Sequence, residues 1–142
     1  MDTASRVRLP LFLLRIGVFV VMLMWTLDKL VRPGHAGGVF KKFYSLDVGG
    51  PALYVLGALE LVLLALFVTG TLKRVSYGAV LILHAISTVS SYRQYQQPFD
   101  NLLFIAAWPM LAACIALYLL RDLDTLWSVP SSRLPAPLAR LG

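Results

Sequence analysis

The sequence is short of charge. Only 14% of its 142 residues are Asp, Glu, Lys or Arg, where a soluble domain carries about 25%. Acids are the scarcest, 7 against 13 basic residues, and the formal net charge is +6. There is one cysteine, Cys114, and there are two histidines, His35 and His84. Each shortage excludes something. With so little charge and a mean hydropathy of +0.75, the chain is neither an ordinary soluble domain nor a disordered one. A single cysteine excludes an intramolecular dithiol–disulfide couple. One loop histidine and one mid-run histidine make neither a zinc site nor a bis-histidine haem, so no intrinsic metal or cofactor is expected. The glycine-rich pieces Gly34 to Gly38 and Gly49-Gly50 lack the context of a phosphate loop and read as turns. The basic residues form no stripe with interleaved aromatics, so no nucleic-acid partner is expected. They are loop charges that orient a membrane protein.

Apolar and aromatic residues are what the chain has in quantity, at 58%. Four runs are long enough to cross a bilayer at ~20 residues per span: about 9–30, 51–70, 75–92 and 101–120. The expected fold is all-α, a polytopic membrane protein built as a four-transmembrane-helix bundle. Residues 1–128 form its single domain, and the Pro-rich tail over 129–142 is expected to be disordered. Arg6 and Arg8 precede the first run as in a signal peptide. However, that run is too long for an h-region and no A-x-A site follows, so it reads as a retained span.

Helix punctuation marks the runs. Pro10 suits a first helical turn. Pro51 opens the second run and Thr69-Gly70 closes it. Pro109 predicts a kink in the fourth. Thr71 to Arg74 leaves room only for a tight turn, so runs two and three form an antiparallel hairpin. In the first outer loop, Val39, Phe40, Phe43, Tyr44 and Leu46 approximate one helical face opposite Lys41, Lys42 and Asp47. That pattern fits a short interfacial helix lying on the membrane, or else a disordered loop. Arg6, Arg8, Lys73, Arg74, Arg121, Arg133 and Arg140 outnumber Lys29, Arg32, Lys41, Lys42 and Arg93, which places both termini in the cytoplasm.

Charged groups in mid-bilayer cost ~2.5–3.5 kcal/mol each even on a lenient scale. Glu60 lies nine residues beyond Pro51, ~13 Å along the axis. His84 lies ten residues beyond Arg74, ~15 Å from the other face, so the antiparallel pair meets at similar depth. Arg15 enters from the cytoplasmic side with a side chain long enough to reach inward. The arithmetic predicts a buried polar site of Arg15, Glu60 and His84. Ser87 and Thr88 join it on a stripe with Tyr77 and Ser91. Two roles stay open: a lock that fixes helix register, or a ligand and proton site of the kind quinone chemistry requires. A second group, Trp25, Asp28, Lys29, Tyr92 and Arg93 with Asp100 and Asn101, falls at the outer rim. These residues are interfacial anchors and helix-end ion pairs, or the mouth of a pocket. No residue is assigned a catalytic role.

Two segments carry a resemblance. Span one reads LLRIGVFVVMLMWTLDKL, with an early Arg and a Lys at its outer end, and span two reads LGALELVLLALFVTGTLKR. From Leu13 to about Leu120 the chain resembles the DoxX family of small four-helix membrane proteins. The resemblance implies a four-helix bundle with a short helix in the first outer loop. It also implies kinship with the thiosulfate:quinone oxidoreductase membrane subunit, in the bacterial cytoplasmic (inner) membrane. The positions that match are Arg15, Lys29 and Glu60; Asp28 stands where the family often has Gly. The expected role is a small subunit or partner in quinone- or thiol-linked redox metabolism. Its associates would be an oxidoreductase or a second copy of itself, and any redox cofactor would be a quinone or belong to the partner. The alternative is a non-enzymatic assembly or scaffold protein whose polar cluster only locks the helices.

Overall fold

The computed structural model describes residues 3–139, and among them every regular element is helical. The first helix, α1, spans Thr3–Val31, a length of about 43 Å at 1.5 Å per residue. It begins six residues before the apolar run, so Pro10 lies inside it rather than in its first turn. The carbonyl that Pro10 leaves unpaired is that of Arg6, which is exposed and so loses little. The second helix, α2, spans Pro33–Tyr44, opens on a proline, and closes at Ser45 in the left-handed region (φ 56°). The segment between the first two apolar runs is therefore largely helical.

Helix α3 covers Gly50–Val68 and is rich in Leu and Ala, both strong helix formers. Helix α4 covers Lys73–Ser90. The turn between them needs two left-handed residues, Gly70 (φ 62°) and Leu72 (φ 49°). One helical turn, α5, follows at Tyr92–Tyr95. The last apolar run is not the single kinked α-helix its sequence suggests. It starts as a 3-10 helix over Leu102–Ala106 and becomes α-helical in α6, Ala107–Leu119. Pro109 has no N–H, so regular α pairing does not extend back through it to Ile105. Beyond α6, Ser131–Arg133 makes a 3-10 turn and Ala136–Ala139 a single turn, α7. Arg140, counted above among the basic residues, lies outside the described residues.

Helix α1 packs along α3 and touches α6, while α4 packs against α3 and α6 and α2 folds back over α1 and α3. The core is a cluster of Leu11, Val18, Leu64, Phe67, Tyr77, Val80, Cys114 and Leu117. Phe67 and Tyr77 meet edge to face at 4.9 Å. Most large apolar side chains lie outside it: Leu13, Val20 and Met24 of α1 and Val55, Leu59 and Val62 of α3 are all exposed. Apolar surface on this scale marks a membrane or partner surface. Three helical stretches, Ala4–Val31, Gly50–Val68 and Leu102–Leu119, are long and apolar enough to cross a membrane. The expected fourth, α4, is not among them; it opens on Lys73-Arg74 and carries the polar stripe.

Candidate functional site

The start of α1, the α3–α4 turn and the segment after α6 meet at one end of the molecule. There Arg15 is fully buried, with its Nε 3.4 Å from the equally buried Asp124 carboxylate. Its Nη2 donates to the carbonyls of Leu126 and Trp127. Asp124 is held from other sides as well: Tyr77 Oη donates to its carboxylate at 2.7 Å, and Lys73 Nζ to its backbone carbonyl at 2.6 Å. Residues 124–129 thus form a strap across this end. Val129 N–H closes it by donating to Thr69 O at 2.9 Å. Gly70 lies beneath, and a Cβ placed on it would fall 2.5 Å from Arg15 Nη1 and 2.5 Å from Ser128 Cβ.

A second centre lies towards the other end. Glu60 of α3 pairs with Lys29 of α1 at 2.9 Å, and Thr26 Oγ1 donates to the same carboxylate oxygen at 3.0 Å. The single Thr26 hydroxyl proton is shared between this carboxylate and the Met22 carbonyl, and Lys29 also donates to the Trp25 carbonyl, each one turn back. Gly57 sets the approach of the helices: its missing side chain leaves room for Leu30 and Lys29 of α1. The pair is not sealed, since the Lys29 and Glu60 side chains are 11% and 20% exposed.

The expected cluster of Arg15, Glu60 and His84 is therefore not formed. Arg15 and Thr26, which contacts Glu60, are eleven residues apart on one helix, about 16 Å along its axis. No arginine side chain spans that gap. His84 has a third set of partners: its Nε2 donates to Ala107 O at 3.0 Å, and Thr88 Oγ1 donates to His84 O. The α4 stripe does turn inward, with Tyr77, His84, Thr88 and Ser91 buried and Ser87 half-buried. Replacing His84 with Phe removes one hydrogen bond. Its expected cost is about 0.5–1.5 kcal/mol, measurable by denaturant unfolding in detergent micelles.

The outer-rim residues face different neighbours. Asp28 accepts from His35 Nδ1 at 2.6 Å and lies 3.8 Å from Arg32, while Lys29 turns inward to Glu60. Arg93 Nε donates to the adjacent Tyr92 Oη at 3.1 Å, both side chains being exposed. Trp25 is exposed. Two surface clefts lie elsewhere: one among Gly34, Gly37, Lys41 and Val48, the other at the strap. Asp124, Thr26 and Lys73 were not anticipated as site residues. Asp124 had one available signal: a buried Arg15 needs a counter-charge, and the acids after α6 lie at its end of the bundle. Among the described residues, no three His, Cys, Asp or Glu side chains gather as metal ligands.

Among the described residues, fold and site together define an all-helical protein with three helical stretches long and apolar enough to cross a membrane, and with the Arg15–Asp124 and Lys29–Glu60 pairs well apart. No protein-family model, curated protein or solved structure matches the chain.

Proposed function

We propose that the chain is a DoxX-like, four-span protein of the bacterial inner membrane. It serves as a small subunit beside a partner in quinone- or thiol-linked redox metabolism, with both termini in the cytoplasm. Helix α4 is the fourth span: it exposes Ile82, Ile86 and Val89 outward while burying its polar stripe. Helix α2 lies at the outer interface, with Phe43 stacked on Phe104 and Lys42 over the Phe43 ring.

One observation carries the choice of site. Both the Lys29 and the Thr26 contacts converge on Glu60 Oε2. Oε1 is left to accept a hydrogen bond from a ligand such as a quinol hydroxyl, in a carboxylate that is not sealed from outside. The Arg15 centre supports no such use, because the strap closes over it.

The test is binding of a short-chain quinone analogue to the purified protein, with Glu60→Gln as the comparison. The expected result is measurable binding that weakens about tenfold in the variant, the loss of one charge-assisted hydrogen bond. Absence of binding, or binding indifferent to the substitution, removes the quinone role. A second reading is favoured by the Arg15–Asp124–Tyr77 arrangement, whose polar groups are spent on holding elements together. It makes the chain a scaffold, in which Glu60→Gln lowers stability and changes no ligand affinity.

A further inference from the structure

We propose that the cleft lined by Phe12, Ile16, Val68, Thr69, Trp127 and Arg133 seats one anionic phospholipid. An acyl chain lies along the apolar wall, and the phosphate rests on Arg133. The inference needs the chain to lie in a bilayer and nothing from the redox reading.

The wall comes from two helices that cross or reach the membrane, α1 (Phe12, Ile16) and the end of α3 (Val68). Trp127 closes it, standing edge-on to Phe12 at 5.0 Å while remaining 79% exposed. An indole this exposed, seven residues beyond the last apolar run, suits the headgroup level, where one side of the ring is apolar and the other wet. The cleft is preformed, because the strap bearing Trp127 is pinned by Arg15 at Leu126 and Trp127 and by the Val129–Thr69 bond. A preformed groove loses little entropy when an acyl chain enters it.

The charge at this end selects the ligand. Arg6, Arg8, Arg74, Arg121 and Arg133 form no salt bridge among the described residues. Of the two acids nearby among the described residues, Asp122 and Asp124, the second is already paired with Arg15. A phosphate diester at the mouth of the cleft meets a guanidinium that no carboxylate pairs with among the described residues. A second copy of the chain would bring the same arginines and be repelled. A zwitterionic lipid would add an ammonium to the same field.

The experiment compares the protein in nanodiscs of phosphatidylcholine alone and of phosphatidylcholine mixed with phosphatidylglycerol, counting lipids retained on gentle extraction by native mass spectrometry. One phosphatidylglycerol per chain is expected to be retained in preference to phosphatidylcholine. Arg133→Gln should weaken that preference about fivefold, the share of one basic residue at an anionic surface. Ile16→Trp, which fills the groove, should remove it; if that variant does not fold, Arg133→Gln decides alone. Retention that neither variant changes means a diffuse charge effect and overturns the proposal. So does an equal thermal stabilisation by free glycerol phosphate, which would show that the apolar wall takes no part.

Discussion

Arg15→Met is expected to destabilise the protein by about 3–5 kcal/mol, the cost of stranding one member of a buried charge pair. The substitution leaves the Asp124 carboxylate without exposure to water and with Tyr77 as its remaining side-chain donor. It also removes the donor that gathers the Leu126 and Trp127 carbonyls. The pair itself is imperfect: Arg15 Nη1 and Asp124 Oδ1 make no hydrogen bond. Removing both charges should therefore cost much less than removing one. Denaturant unfolding in micelles of Arg15→Met, Asp124→Leu and the double variant checks this. A double variant as unstable as the sum of the singles would mean that the two side chains do not act as a pair.

Gly70→Ala carries the next largest effect, about 2–4 kcal/mol, from two sources that add. The backbone there is left-handed, which costs an alanine about 1–2 kcal/mol. In addition, the new methyl would fall 2.5 Å from Arg15 Nη1 and from Ser128 Cβ. Neither neighbour can give way, because Arg15 is tied to the strap and Ser128 is within it. Gly57→Ala is the control. Its methyl would crowd the Leu30 side chain at 2.7 and 2.9 Å, a flexible group that can turn aside, and would touch Lys29 Cβ at an ordinary 3.5 Å, so a smaller loss is expected. Trypsin cleavage at Arg121 and Arg133 should quicken in Gly70→Ala as the strap loosens, and not in Gly57→Ala.

The helices were legible because hydrophobic run length and punctuation are local properties. Gly49-Gly50-Pro51 marks the start of α3, and the apolar spacing from Val39 marks the second half of α2, missing its start at Pro33. The partners of the polar residues were not local. Depth arithmetic placed Glu60 and His84 at similar heights but carried no information on rotation about each helix axis, and they face different neighbours. Lys29 stands at the end of its run, where a basic residue ordinarily turns to water; here it points back along α1 to Glu60. The resemblance names Lys29 and Glu60 without saying that they pair. Asp124 was hidden most completely. It follows the last apolar run, where a solvated acid and a buried one look alike, and only the return of residues 124–129 across α1 separates it from Asp122.

The buried charges form two independent centres rather than one cluster. Double-mutant cycles in unfolding free energy test it directly, using Arg15→Met, Asp124→Leu, Lys29→Met and Glu60→Leu. The predicted result is a coupling of at least about 1 kcal/mol within Arg15–Asp124 and within Lys29–Glu60. Between Arg15 and Glu60 the effects should add to within about 0.5 kcal/mol. A coupling above about 1 kcal/mol between Arg15 and Glu60, with none between Arg15 and Asp124, would contradict it.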